Sequence, residues 1–446
     1  MQRFFVGVLT SLLAGCTTFG VIENRPIKKP DSANSYSIAK FSRGESSDNS
    51  VTLAFSGGGT RAAALSYGVL KALRDTPIRS KGKPTRLLDE VGSISAVSGG
   101  SFTAAYYGIH GERTFSQFEQ AFLRRNIEGG LKKTLLNPRN WFDERGHTEL
   151  AVDLYQQQVF KGATFADMLR PDAPLVMINA SDLSRGVRFS FVQEYFDLLC
   201  SDLLTFPVAR AVAASSAVPV VFDPVVIKNH DSCNTQMPPW LKEALVRSKN
   251  QPELQLTTSG LNSYSDKQGR RYAHFVDGGI TDNLGLRAIY DVLELGGGAK
   301  RTADLLRLKP VKRFVIISVD AAVRSQNLID QTNRHPSLFD AVNAMSDVQL
   351  QRYNASTIEV TKKSIVRWTK QLSTPQSPVE PYFIQLNFRG VVDKAARDAL
   401  NEIPTSFNLT DQQVDLLIKM GRDLLYKNAE FKRLLADIKR DETSNE

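Results

Sequence analysis

The hydrophobic positions of the chain fall into three regimes. Residues 4–13 are a mainly apolar run, too short to span a bilayer and of the length of a secretory h-region. Residues 17–48 are mainly polar, with Pro26, Pro30 and repeated Ser, and read as a tether. From Val51 onward, short apolar runs alternate with stretches of helical period. Positions 51–55 form a buried-strand pattern that Ser56-Gly57-Gly58-Gly59 breaks, and Leu65, Val69, Leu70 and Leu73 then recur at helical spacing. The unit repeats at once, with a strand at 91–97, a turn at Ser98-Gly99-Gly100 and a helix opening near Phe102. Two successive strand–turn–helix units predict a helix-covered, mostly parallel sheet, because parallel neighbours require a crossover and the crossover lies on a sheet face. The same patterns predict strands at 174–179, 188–192, 271–276, 314–319 and 382–386, and helices at 150–160, 208–215, 284–295, 338–360 and 411–438.

Composition narrows the class. A chain of 446 residues that is 42% hydrophobic can bury a large core. Its one long apolar run, at the start, excludes a multi-span membrane protein, and its three Cys exclude a disulfide-dense or Cys-rich zinc scaffold. The net charge is +9. The basic residues stand in small groups (Arg79, Lys81, Lys83, Arg86; Arg124, Arg125, Lys132, Lys133) with no groove-reading motif. That pattern fits a solvated face or an anionic lipid surface rather than nucleic acid.

The amino terminus adds an address. Arg3 precedes the apolar run, which ends in Leu13-Ala14-Gly15-Cys16 and resembles a bacterial lipobox. This resemblance implies a signal peptide over 1–15 and a lipidated Cys16 that opens a tether over 16–48. Thr17 stands where an Asp would retain such a protein at the inner membrane, so the expected place is an outer membrane, facing the periplasm. Export also permits Cys200 and Cys233 to pair.

Three motifs carry candidate chemistry. Ser98 sits at a strand-to-helix turn among small neighbours, Ala96-Val97-Ser98-Gly99-Gly100. Such an elbow pushes the hydroxyl out at the strand end and aims the next helix's N–H groups at developing negative charge. Ala96 departs from the usual Gly at the first position, and the plain alternative is a helix cap at Ser98. Gly57, Gly58 and Gly59 let backbone N–H groups converge on an anion, or else make a tight turn. The loop lacks the Gly-Lys-Ser/Thr ending of a nucleotide-binding loop. Asp277-Gly278-Gly279 follows an apolar strand and places an acid at a strand end, or is a simple turn.

In this order the three motifs resemble the patatin-like phospholipases. The block 211–226, AVAASSAVPVVFDPVV, is similar to a further segment of that family, as is Asn179-Ala180-Ser181-Asp182-Leu183. The resemblance covers roughly residues 50–290 and implies a three-layer α/β/α sandwich with a mostly parallel central sheet and a helical C-terminal extension. It implies a Ser98–Asp277 dyad with no catalytic histidine, an oxyanion hole at Gly57–Gly59, and no metal or cofactor. The substrate it implies is an acyl ester of a phospholipid or lysophospholipid. Ser-Gly-Gly-Gly-x-Arg-Ala also resembles the cytosolic phospholipase A2 relatives, which makes Arg61 a candidate for the substrate phosphate; the alternative is a structural arginine paired with a core carboxylate. Pro404-Thr405-Ser406-Phe407 resembles the tail of bacterial members, so the C-terminal helices are expected to join the folded unit.

The expected organisation is a signal peptide (1–15), a lipidated tether (16–48), a catalytic domain (49–320) and a mainly helical extension (321–446). Two rival readings stay open at this stage. One is a histidine triad of Ser98, Asp320 and His335. The other is a patatin-fold envelope protein that binds rather than turns over.

Overall fold

The structure is a computed structural model that describes residues 19–30, 34–42, 47–135, 145–219, 221–233, 237–323 and 333–444. The expected signal peptide over 1–15 and the expected lipidation position Cys16 lie outside the described residues. Eight strands form the central sheet: β1 (Asn49–Phe55), β2 (Val91–Val97), β3 (Leu175–Asp182), β4 (Val187–Ser190), β5 (Val225–Lys228), β6 (Tyr272–Val276), β7 (Arg313–Asp320) and β8 (Glu380–Asn387). Their order is β8-β7-β1-β2-β3-β6-β5, with β4 also paired to β3. The pairs from β8 through β3 are parallel, while β4, β5 and β6 are added antiparallel. This is the expected mostly parallel α/β fold, with helices on both faces. The central strands are apolar on both sides, as burial between two helical layers demands: Leu53, Ala54 and Phe55 are all fully buried.

The register on β3 matters most. Asn179 pairs with Val97 of β2 and also with Ser190 of β4, so those two strands flank it on opposite edges. Asp182 pairs with Val187 of β4 and with Phe275 of β6, which puts β6 on the same edge as β2. β2 runs parallel to β3 and β6 antiparallel, so the two strands approach each other head-on. Val97 ends opposite Asn179 and Val276 ends opposite Ser181, two residues apart on β3.

Helix α1 (Gly59–Arg74) follows β1, and α2 (Gly99–His110) follows β2. Then come α3 (His147–Tyr155), α4 (Val208–Ser215), α5 (Leu286–Leu295), α6 (Leu338–Leu372), α7 (Asp411–Lys427) and α8 (Ala429–Ser444). The expected helix over 338–360 continues to Leu372 because Ile365 and Trp368 prolong its buried stripe. The expected single helix over 411–438 is two. Asn428 takes an extended conformation, and its side chain accepts from the Phe431 N–H, which starts a new helix. The hairpin of Pro77–Ser80 with Lys83–Arg86 and the short strand β5 were not foreseen, since both are brief and carry charged or proline positions.

The C-terminal segment is inseparable from this core. β8 pairs along its full length with β7, so the sheet crosses position 320. α7 crosses α1 at backbone contact: a Cβ on Gly68 would overlap the Ile418 carbonyl, and one on Gly421 would overlap that of Leu65. Glycine is required at both positions because only its absent side chain permits this approach.

The reading of 16–48 as a free tether is corrected over its described residues. Arg25–Pro26 pairs with Ser201–Asp202, and Tyr36 is fully buried and bonded to Val176 on β3. The polar composition that suggested a tether instead supplies side-chain hydrogen bonds to the domain. Cys200 and Cys233 are disulfide-bonded at a separation of 33 residues. Closing a loop of that size contributes roughly 3–4 kcal/mol by restricting the unfolded chain.

The helix crossing yields a stability prediction. Gly421→Ala should cost about 1–3 kcal/mol, because the added methyl meets backbone rather than a movable side chain. Urea denaturation of the two proteins checks it; equal midpoints would refute the tight crossing.

Candidate active site

The two converging strands deliver Ser98 and Asp277 to one point. Ser98 directly follows β2, and its φ of 49° with ψ of −121° lies where non-glycine residues rarely sit. That conformation costs on the order of 1–3 kcal/mol and persists only when the surroundings enforce it. They do. The Ser98 N–H donates to Ser215 Oγ at 2.8 Å, and the Ser98 carbonyl accepts from the Ser101 N–H. A Cβ on Gly99 would overlap the Gly59 carbonyl, and one on Gly100 would lie 2.7 Å from the Ser56 carbonyl. The glycines after the serine therefore exist to seat the elbow against the 56–59 loop. Behind them, Phe102 stacks on Phe122 and packs with Tyr155, Phe160 and Phe407.

Asp277 directly follows β6. Its N–H donates to the Ala217 carbonyl and that of Gly278 to the Ser215 carbonyl. Its carboxylate accepts from the Gly279 N–H at 2.7 Å. Burial pushes its pKa up to about 6, against the Gly279 N–H and the nearby Ser98 hydroxyl, which pull it down. The carboxyl thus lies beside the serine hydroxyl with a pKa raised towards neutral pH.

Ser215, at the C-terminal end of α4, is the joint between the two. Its hydroxyl accepts from the Ser98 N–H, donates to the Asn179 carbonyl at 2.6 Å and lies 3.0 Å from Ser101 Oγ. Its carbonyl holds Gly278. Reading the sequence placed Ser215 in a family-like block but gave it no role; a buried Ser among alanines in that block was the available signal. Asn283 was missed altogether. Its carbonyl accepts from the Gly57 N–H at 3.0 Å, and its Oδ1 lies beside Gly57 and Gly279, bridging the glycine loop and the Asp277 turn.

The glycine loop requires two corrections. The first concerns Gly57, whose N–H is taken by Asn283 and so is not a free anion donor. Gly58 and Gly59 differ. Both have positive φ, at 137° and 58°, and no acceptor among the described residues takes their N–H groups. These two N–H groups, unlike that of Gly57, are left available to an anion. The second concerns Arg61. Its guanidinium donates to the carbonyls of Ala321 (2.9 Å) and Ile403 (2.6 Å) and to Thr405 Oγ1 (2.9 Å). Burial lowers its pKa to about 10, partly offset by the carboxylates of Asp320 and Asp347. Arg61 is a structural clamp between α1 and the C-terminal segment, although its hydrogen-bond partners are carbonyl and hydroxyl oxygens and not the core carboxylate of the structural alternative. Ser406 completes that clamp by accepting from the Thr60 N–H.

The histidine triad finds no geometry. Asp320 interacts with Arg61, Arg389 and the Ala322 N–H, and His335 is exposed. Among the described residues no cluster of His, Cys, Asp or Glu could hold a metal ion.

A family model described as patatin-like phospholipase matches residues 53–290, just over half of the chain. No curated protein matches. Among solved structures, human GIVD cytosolic phospholipase A2 aligns at 12% identity over 87% of this chain and 60% of its own, with a TM-score of 0.44. Its complex with methyl gamma-linolenyl fluorophosphonate aligns at 12% identity over 88% and 59%, with a TM-score of 0.38. The complex of SpcU with ExoU from Pseudomonas aeruginosa aligns at 14% identity over 92% and 96%, with a TM-score of 0.20. The chain thus spans about 60% of the human enzyme chains, and none of these likenesses is close enough to carry an argument.

The raised Asp277 pKa predicts a pH-dependent stability difference. A carboxyl that titrates near 6 when folded and near 4 when unfolded stabilises the fold below pH 4, and this stability is lost as pH rises through 6. Asp277→Asn should therefore be more stable than the parent at pH 8, by on the order of 1–3 kcal/mol, with the gap closing towards pH 4. Urea titrations at pH 4, 6 and 8 measure it; a gap independent of pH would refute the buried, raised carboxyl.

Proposed function

The chain belongs to the patatin-like phospholipase family, whose members are lipid ester hydrolases, and from that premise we propose a Ser–Asp acyl hydrolase held at a bacterial envelope membrane by a lipidated Cys16. The observation that supports this reading is the head-on meeting of two strands that sets Ser98 beside the buried Asp277 carboxyl, whose raised pKa the Ser98 hydroxyl pulls down. Ser98 Oγ attacks the ester carbonyl as Asp277 takes its proton. The oxyanion that forms is held by the N–H groups of Gly58 and Gly59 and by the N-terminal end of α2. Asp277 then protonates the departing alcohol, leaving an acyl-Ser98 ester. Water, deprotonated by Asp277, releases the fatty acid and restores the hydroxyl. Each step uses the same carboxylate, so one buried acid with a pKa near 6 serves as base and acid in turn.

The substrate is an acyl ester of a phospholipid or lysophospholipid, and the site is the outer membrane facing the periplasm. No nucleic acid takes part, and no metal or cofactor enters the cycle.

Fatty-acid release from phospholipid vesicles tests the proposal. Ser98→Ala should lose ~10³-fold or more of kcat, and Asp277→Asn a comparable factor, because neither half of the dyad acts alone. Activity requires ionised Asp277, so kcat/KM should fall as pH drops through about 6 and be level above it. Undiminished hydrolysis by Ser98→Ala would refute the enzyme reading.

A further inference from the structure

The corrected tether has a direction. Asn24 is bound to the edge strand β5 as a strand neighbour would be: its Oδ1 accepts from the Lys228 N–H at 3.0 Å and its Nδ2 donates to the Lys228 carbonyl at 2.8 Å. Arg210, buried in α4, holds the Glu23 carboxylate at 2.6 Å and the Val21 carbonyl at 3.3 Å. Gly20 then lies directly on Val226. Followed towards its start, the segment therefore moves from Lys228 to Val226, in the direction of Val225. Val225 pairs with Phe275, two residues before Asp277, so this direction leads to the mouth of the site.

The lengths agree. Cys16 is four residues before Gly20, at most about 14 Å of chain. From His274, the register partner of Val226, to Asp277 is three residues, roughly 10 Å of strand. The level of the mouth is therefore within the chain reach of Cys16. The start of β7, at the opposite end of the sheet, lies a full eight-residue strand away, roughly 26 Å.

The mouth is the level at which β2 and β6 end, at Ser98 and Asp277, and apolar side chains are exposed near it. Leu183, Val218, Val221, Ile280, Met345 and Val348 are all between 46% and 61% exposed. Val218 adjoins Ala217, which holds Asp277, and the Ile280 N–H donates to the Asp277 carbonyl. The Leu183 N–H donates to the His274 carbonyl, and Met345 and Val348 flank Asp347, which interacts with Arg61. Apolar side chains exposed in one neighbourhood mark an interaction surface.

We propose that residues 20–27 form a strap that seats the domain mouth-down, so that these apolar side chains enter the same bilayer that holds Cys16 and the enzyme cuts lipids of its own membrane. The inference rests on the lipid-hydrolase reading and on acylation of Cys16. Its partner is a phospholipid bilayer, and its source is the anchoring membrane rather than a second one.

The test uses the full chain, acylated at Cys16 as verified by mass, in vesicles of phosphatidylethanolamine and phosphatidylglycerol. A fluorogenic phospholipid is placed either in those vesicles or in a separate protein-free population. A dye is attached at Val221→Cys near the mouth, or at Leu305→Cys, exposed ahead of the far end of the sheet. Hydrolysis should be at least tenfold faster in the protein's own vesicles. Brominated lipid should quench the Val221 label and spare the Leu305 label. A flexible 20-residue Gly/Ser insertion between Thr18 and Phe19 should reduce own-vesicle hydrolysis and Val221 quenching severalfold while leaving soluble short-chain ester hydrolysis intact. Equal quenching of the two labels, or an insertion without effect, in a protein active on the soluble ester would overturn the seating alone. Hydrolysis that survives Ser98→Ala would overturn the enzyme reading beneath it.

Discussion

The site depends on one topological constraint: β2 and β6 run towards each other along the same edge of β3. A nucleophile and its base must sit within hydrogen-bond reach, yet Ser98 and Asp277 are far apart in the chain. Two strand ends that meet head-on solve this without a long reach by either side chain, because each residue is simply the first one past its strand. An all-parallel sheet would place both ends on one edge but a strand spacing or more apart. On the proposed dyad the antiparallel β6 would therefore be a functional element, and Ser215 pins both ends by one hydroxyl and one carbonyl.

Close backbone approach is the second theme, and it extends the active site into the C-terminal segment. Gly59 cannot carry a Cβ, since the Ser406 carbonyl would lie 2.6 Å from it, and Gly99 lies against Gly59 in turn. Layer by layer, the elbow rests on the glycine loop, the loop on Ser406, and α1 on α7. Arg61 locks this stack by giving its guanidinium to Ala321, Ile403 and Thr405. The glycine loop can hold its strained shape because residues more than 300 positions away in the chain bear on it.

Much of this was legible because it is local. The strand–turn–helix grammar around positions 56 and 98, the small residues after Ser98 and the acid at a strand end are short-range consequences of backbone sterics. The family-like order of the motifs joined them. What was not legible is set by long-range pairing. The sequence offers no sign that the Gly57 N–H belongs to Asn283, since that depends on where the 277–283 turn lands. Arg61 was undecided because an arginine after a glycine loop looks the same whether it faces a phosphate or three carbonyl and hydroxyl oxygens. The 17–48 stretch was misread for a similar reason: polarity signals a tether only when the polar groups face water, and Asn24 and Glu23 face the domain.

That misreading changes what an anchor would do. A free polar segment of about thirty residues has a root-mean-square span of roughly 30 Å and would let the domain turn in any direction. A strap fixed at Val21, Glu23 and Asn24 leaves only a few residues to the anchoring position, so orientation becomes a property of the fold. The fixing residues also belong to the catalytic scaffold, since Arg210, which holds the strap, lies five residues before Ser215 in the same helix. Strap, helix and the proposed dyad are thus joined through α4. On the proposed seating, a hydrolase for a two-dimensional substrate would gain from this, because the site would then meet the acyl esters at a fixed depth instead of searching for them.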